Sequence, residues 1–202
     1  MTIYHINMEE QMNKYIKYTL FMAIIGIIVG GTLSVVSELT VPIIEKQKLQ
    51  KVEKILFNVD AENKWIIGGE KIYISDDEYI EEVYLSVDEK ENIINIGYLV
   101  NTKGYSNGNI ETMIFIDNNK KTIKKVEILS IENQTKGVGS LIVDDVNYIK
   151  VFENIKVSKY VNDNINNHTS DDVDIIGGAT ISSRAVVQAV ISACNNFNNI
   201  KK

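Results

Sequence analysis

The residues of this chain that are best suited to chemistry lie near its C-terminus, in the stretch DIIGGATISSRAVV. Two adjacent glycines there permit a tight turn or a close approach of the backbone to a ligand. Three hydroxyls follow, at Thr180, Ser182 and Ser183, where a helix is expected to begin and a hydroxyl can form its N-cap. The first helical turn presents free N–H groups and a partial positive charge, which together favour a phosphate. The hydroxyls therefore serve either to cap a helix or to bind or be esterified by a phosphate.

Other residue types set limits on the chemistry. Cys194 is the only cysteine, so a disulfide within the chain is impossible and a CxxC site is absent. Its apolar helical surroundings predict a place in the core. The two histidines, His5 and His168, do not form a His/Cys cluster with metal-ligand spacing, so we predict no metal site. The net charge of −6 argues against a nucleic-acid partner, because phosphate-backbone binding needs a basic face.

The elements that must position the C-terminal stretch begin with a membrane segment, YTLFMAIIGIIVGGTLSVV, which carries no charge. As a helix it spans about 28 Å, close to the hydrocarbon core of a bilayer. We predict a short N-terminal tail at 1–17, a transmembrane helix at 18–37, and a stalk helix and connector at 38–70. A cleaved signal peptide is the main alternative, although the apolar run is long for one and no A-x-A site follows it. Lysines flank the segment on both sides, so charge does not determine its orientation.

Residues 71–202 are predicted to form an α+β domain. Closely spaced strand-like segments, beginning with KIYIS at 71–75, predict a mainly antiparallel sheet. The segments IETMIFID and TIKKVEILSI flank the turn NNKK and predict a hairpin. Helical spacing predicts one helix in LIVDDVNYIKVFENI and a terminal helix in SSRAVVQAVISACNNF, packed on the sheet. The apolar stripe of the terminal helix comprises Val186, Val190, Cys194 and Phe197.

The stretch DIIGGATISSRAVVQAV resembles the flavinylation motif of the FMN-binding domain family, whose pattern is Asp-x-x-(Ser/Thr)-Gly-Ala-Thr. Asp174, Gly178, Ala179 and Thr180 match this pattern, whereas Gly177 stands where the family usually has Ser or Thr. The resemblance implies that FMN is attached to Thr180 through a phosphoester bond. A separate flavin transferase installs it with FAD as donor, and the motif positions of Asp174 and Gly177 imply a part in recognition by that transferase.

Two further stretches resemble the same family. ENQTKGVGS is similar to a Glu-Thr-x-Gly-Leu-Gly loop that packs beside the flavin ring, with Gln134 in place of Glu and Val138 in place of Leu. KGYSNGNIETMIFID is similar to a Gly-Tyr segment that opens a core strand, with Gly104 and Tyr105 in place. Beside Thr180, the residues that the resemblance places at the cofactor are Tyr105, Thr135, Gly137, Val138, Gly178, Ala179 and Ser183.

The family includes the G subunit of the Rnf electron-transport complex and the C subunit of the sodium-pumping NADH:quinone oxidoreductase. The chain length and the sequence ATISSRAVVQAV are more similar to the former. The resemblance implies an electron-transfer subunit of an ion-translocating ferredoxin:NAD oxidoreductase rather than an enzyme by itself. Its partners are then membrane, flavoprotein and iron–sulfur subunits. The family implies a cytoplasmic-membrane protein with its N-terminus inside and the FMN domain on the extracytoplasmic side.

Two alternatives stay open at this stage. The chain can be an FMN-domain protein of another extracytoplasmic electron-transfer route, which neighbouring genes would distinguish. It can also be a membrane-anchored assembly module without a cofactor, in which Gly177 marks a motif that has lost its function. Covalent flavin fluorescence on a denaturing gel separates this last alternative from the first two.

Overall fold

The computed structural model describes residues 2–67, 77–169 and 172–200 of the chain. The chain divides into two compact units, Met1–Lys51 and Val52–Lys202. The predicted strand KIYIS lies outside the described residues.

The first unit is a single helical segment. It belongs to helix α1, Thr2–Val59, which continues through Pro42. All side chains from 18 to 36 are exposed in the chain by itself, and this span is long and apolar enough to cross a membrane. A helix of this kind near the N-terminus serves as a membrane anchor or as a signal sequence.

The second unit is built on an antiparallel sheet, as predicted. Its strands follow one another in space in the same order as in sequence, and each pairs with the next in antiparallel fashion. The predicted hairpin is present, and the carboxylate of Asp117 accepts hydrogen bonds from the N–H groups of Asn119 and Lys120 in its turn. The strands in the described residues are β1 Lys64–Ile67, β2 Ile80–Val87, β3 Ile93–Lys103, β4 Asn109–Asp117 and β5 Thr122–Ile131.

One face of the sheet packs against the last helix of the chain, Thr180–Asn199. Side chains alternate along each strand, so Tyr98 on β3 and Ile114 on β4 face this helix and are fully buried. The predicted stripe of the helix is confirmed. Val186, Val190 and Cys194 are fully buried, and Phe197 is partly buried against the same core.

The opposite face of the sheet packs against the C-terminal end of α1. Val52, Ile55 and Leu56 are buried in one cluster with side chains from the sheet, among them Leu99 and Met113. The end of the segment that we predicted as a stalk is therefore part of the core of the second unit.

The helix predicted in LIVDDVNYIKVFENI is broken, which corrects the sequence analysis. A short helix α2 covers Leu141–Asp144 and a separate 3₁₀ turn covers Tyr148–Phe152. Asp145 leaves the helical conformation, with ψ at 96°, and its carboxylate accepts a hydrogen bond from the Asn147 N–H at 2.9 Å. Such a local Asp bond competes with helix formation, and it lets Tyr148 and Phe152 enter the core together. The terminal helix Thr180–Asn199 is named α3 below.

Candidate functional site

Helix α3 begins at Thr180, and its N-cap is Ala179. None of the three hydroxyls is the N-cap, because Thr180, Ser182 and Ser183 all lie inside the helix and the residue that precedes it is Ala179. Ala179 has no side chain that can cap the helix. Among the described residues, the N–H groups of Thr180, Ile181 and Ser182 meet no hydrogen-bond acceptor. The first turn therefore offers three donors and the positive end of a 20-residue helix to a ligand.

The turn before the helix depends on Gly178 and Ser183. Gly178 has a φ of +85°, in the left-handed region that favours glycine. The fully buried Ser183 hydroxyl donates to the Ala179 carbonyl at 3.0 Å and accepts from the Ile176 N–H at 3.1 Å. The Ser183 side chain thus braces the turn from inside the protein. Gly177 has no positive φ, and a Cβ built there meets nothing within 4 Å.

The three stretches singled out in the sequence meet at one cleft of about 410 Å³. One wall is the start of α3, the second is the loop after β5, and the third is the short turn after β3. Of the predicted cofactor residues, Gly137 and Ser183 do not line the cleft, and neither do the motif residues Asp174 and Gly177. The lining residues are Tyr105, Thr135, Val138, Gly139, Gly178, Ala179, Thr180, Ile181 and Ser182.

The cleft combines apolar and polar walls. Tyr105, Val138 and Ile181 are about half exposed as whole residues, at 48%, 47% and 54%. Thr180, Ile181 and Ser182 line the cleft at the start of α3, where their N–H groups meet no acceptor in the described part of the chain. Clefts of this size commonly hold a small organic ligand by apolar contact and a few polar groups that set its orientation. The arrangement suits a ligand with an apolar ring and an anionic group.

Gln134 connects the three walls, and the sequence analysis did not place it at the site. Its amide Nε2 lies 3.2 Å from the Tyr105 carbonyl oxygen and 2.8 Å from that of Glu132. Its Oε1 accepts a hydrogen bond of 2.6 Å from the Ser182 hydroxyl on α3. No local sequence pattern could predict that Gln134 contacts Ser182, because 48 residues separate them.

A polar network lies behind the turn and includes Asp174. The Asp174 carboxylate is buried and lies within 3.2 Å of His168 Nδ1 and of the Tyr160 hydroxyl. His168 Nε2 lies 2.9 Å from Asp163, and Arg184 donates two hydrogen bonds to the His168 carbonyl. Asp174, for which we predicted a role in transferase recognition, thus anchors the motif to the rest of the domain.

The network changes the acid–base behaviour of its members. Burial lowers the pKa of His168, but hydrogen bonds to Asp163 and Asp174 raise it more, so that the pKa lies above its usual value. Burial raises the pKa of Asp163, but hydrogen bonds from His168 and from neighbouring groups lower it by more. The pKa of Asp163 therefore lies below its usual value. His168 is therefore held in its charged form over a wider pH range than a free histidine.

The same region contains three side chains of types that can ligate a metal. Ligand atoms of His168, Asp172 and Asp174 lie within 4.8 Å of one another, a proximity that the sequence spacing did not indicate. Both ring nitrogens of His168 already face carboxylates. Within the cluster, His168 pairs with Asp174, and the Asp172 carboxylate accepts hydrogen bonds from Thr169.

The comparison with known families bears on this cleft. A family model described as FMN-binding domain matches residues 104–195. No curated protein and no solved structure shows a significant match to the chain. The matched segment begins at Gly104, beside Tyr105, and ends near the end of α3, so that it contains every residue that lines the cleft. The part of the chain that builds the cleft therefore matches an FMN-binding domain.

Proposed function

We propose that this chain is a membrane-anchored flavoprotein that carries FMN covalently on Thr180 and relays electrons within an Rnf-type ferredoxin:NAD oxidoreductase. The observation that carries the flavin part is the cleft, in which the Thr180 hydroxyl lies beside three free N–H groups and exposed apolar side chains. When bound, FMN supplies the capacity to accept and release electrons one or two at a time.

The residues of the cleft fit such a group. A phosphate esterified to Thr180 would lie at the N-terminus of α3, where free N–H groups and the helix dipole stabilise negative charge. Tyr105, Val138 and Ile181 offer apolar surface to a ring system. Gly178 provides the left-handed turn that places Thr180 at the start of the helix.

The attachment that we propose is an exchange of one phosphate bond for another. The Thr180 oxygen forms a bond to the flavin-side phosphorus of FAD, and the pyrophosphate bond breaks. AMP leaves with the bonding electron pair, and the hydroxyl proton goes to a base of the transferase. The chain itself contributes the hydroxyl and its position.

The membrane part of the proposal rests on α1. Its side chains from 18 to 36 are exposed in the chain by itself, as expected for a helix covered by lipid. We propose that it is an uncleaved anchor in the cytoplasmic membrane, with the FMN domain on the extracytoplasmic side. The similarity of ATISSRAVVQAV to the Rnf version of the motif supports the choice of complex.

Co-expression with a flavin transferase tests the flavin part. We expect a band that fluoresces under ultraviolet light on a denaturing gel, and a peptide of residues 174–184 with the added mass of FMN. Thr180→Val should abolish both signals, because it removes the hydroxyl and keeps the shape. Thr135→Val is the matched control, since Thr135 lines the same cleft, and it should stay fluorescent. A dark wild-type band in the presence of an active transferase would support the cofactor-free assembly module instead.

Purification from the native membrane tests the complex. We expect membrane, flavoprotein and iron–sulfur subunits to co-purify with the chain, and Thr180→Val to stop ferredoxin-dependent NAD reduction in membrane vesicles while the subunits still assemble. Co-purification with a different set of redox proteins would favour another extracytoplasmic electron-transfer route.

A further inference from the structure

The side chain of Gln134 bridges the three walls of the cleft. Its Nε2 faces the carbonyl oxygens of Tyr105 and Glu132, and its Oε1 receives the hydroxyl of Ser182. Tyr105 and Ser182 both line the cleft, in the turn after β3 and at the start of α3, and Gln134 lies in the loop after β5.

The chemistry of the partners determines which way the amide points. The two carbonyl oxygens can only accept hydrogen bonds, so the NH₂ group must face them. The Ser182 hydroxyl can donate, which leaves the amide oxygen for it. A neutral side chain with a donor end and an acceptor end satisfies all three partners at once, and a carboxylate does not.

Two glycines leave room for this side chain. A Cβ at Gly139 would lie 2.9 Å from Gln134 Oε1 and 3.0 Å from Ser182 Oγ. A Cβ at Gly104 would lie 2.5 Å from Ile110 Cδ1 and 3.0 Å from Gln134 Nε2. Distances this short force a neighbour to move, so glycine at both positions lets the three walls meet around Gln134.

From these contacts we propose that Gln134 is a positioning residue of the cleft, and that it acts only as a neutral amide. Its effect on the flavin rests on the proposed function, whereas its effect on the walls does not. A glutamate at this position restores the residue usual in the similar family loop, yet it places a carboxylate oxygen against two carbonyl oxygens. In this chain Gln134→Glu therefore loosens the turn after β3 and the start of α3. Protonation of that glutamate restores one donor and reverses part of the loss.

Hydrogen exchange and flavin quenching test the proposal on the full chain, with and without flavin. Gln134→Glu should speed amide exchange at Tyr105–Asn107 and in the loop 135–139 by about tenfold, the effect of losing one to two hydrogen bonds. In the flavin-loaded protein, iodide should quench the fluorescence more strongly. Both effects should decrease as the pH falls through the titration range of the new carboxyl.

Asn133→Asp is the matched control, because it adds the same charge at the neighbouring residue, whose positive φ aspartate tolerates. It should leave exchange and quenching near their wild-type values at every pH. Ser182→Ala removes the third partner alone and should speed exchange in the loop 135–139, in support of the bridge.

Equal behaviour of Gln134→Glu and Asn133→Asp across the pH range would overturn the proposal. A wild-type protein that takes up no flavin would overturn the proposed function instead, and exchange in the flavin-free protein would still decide the role of Gln134.

Discussion

At the scale of single residues, the position of Thr180 depends on the glycine two residues before it. Gly178 adopts a φ of +85°, while its neighbour Gly177 does not adopt a positive φ. An L-residue in the left-handed region is strained by a clash between its Cβ and the backbone. The backbone conformation therefore requires glycine at position 178 but not at position 177.

Gly178→Ala should lower the free energy of unfolding by about 1–2 kcal/mol and reduce flavin attachment, because relief of the strain displaces Thr180. Gly177→Ala should change stability by less than about 0.5 kcal/mol, since a Cβ there has open space around it. Urea unfolding of the two variants side by side checks the difference. Equal destabilisation by both would contradict the assignment of the turn.

Gly177→Ser restores the hydroxyl that the family pattern usually has, at a position with room for it. We expect this variant to fold as the wild type does and to accept flavin at least as fast under limiting transferase. The time course of gel fluorescence measures the rate. Slower attachment in Gly177→Ser would show that the glycine suits this chain and its transferase better.

His168 gives the domain a predicted pH dependence. Its pKa in the folded protein is raised, so its contribution to stability is fully present below the unfolded pKa of about 6.5 and is lost as the pH rises through the folded value. The lowered pKa of Asp163 gives a contribution that is lost as the pH falls through its own folded value.

We therefore expect the urea midpoint of the wild type to fall between pH about 6.5 and 8. His168→Gln should be less stable at low pH and should lose most of this dependence. A wild-type midpoint that rises over the same range would contradict the paired state of His168.

At the scale of elements, the 3₁₀ turn Tyr148–Phe152 supports the start of α3. The buried Tyr148 hydroxyl lies 3.1 Å from the Asp174 carbonyl and 3.2 Å from the Ser183 carbonyl. It therefore links the residue before the glycine turn to the first turn of α3. Burial raises the pKa of this hydroxyl, which stays protonated and can donate.

Tyr148→Phe should cost about 1–3 kcal/mol of stability, because it removes a buried donor and keeps the ring in the core. Tyr105→Phe is the matched control, since that hydroxyl belongs to a half-exposed side chain, and it should cost less than about 0.5 kcal/mol. Thermal or urea unfolding measures both. Equal stability of Tyr148→Phe and the wild type would show that the hydroxyl does not support the turn.

At the scale of the whole molecule, the core of the second unit has two layers on the sheet, α3 on one face and the end of α1 on the other. The unit begins at Val52, so its core includes the last turns of helix α1.

A chain that begins at residue 52 should fold, leave the membrane fraction and accept flavin on Thr180. A chain that begins at residue 60 lacks Val52, Ile55 and Leu56 and should lose about 5 kcal/mol or more, since each buried apolar side chain contributes about 1.5–3 kcal/mol. Fractionation and urea unfolding of the two chains check this. Equal stability would show that α1 contributes nothing to the core.

The full chain should stay in the membrane with its N-terminus intact, and a cleaved N-terminus would identify α1 as a signal sequence.

The sequence by itself determined the apolar helix, the antiparallel hairpin, the stripe of α3 and the three stretches that line the cleft. These features depend on residue patterns over short distances, where neighbours in sequence are also neighbours in space. The break after Asp144 was missed, because the Asp145 carboxylate accepts a hydrogen bond from the Asn147 N–H and this local bond competes with the helix.

Only the tertiary structure decided how those stretches meet. Ser183 braces the turn from the core side, Gln134 reaches α3 across 48 residues, and His168 pairs with Asp174 behind the motif. These contacts follow from the register of β4 with β5 and from the packing of α3 on the sheet. Gln134 and Ser182, which are 48 residues apart in sequence, come within 2.6 Å of each other only when that packing is complete, so no local pattern could indicate their contact.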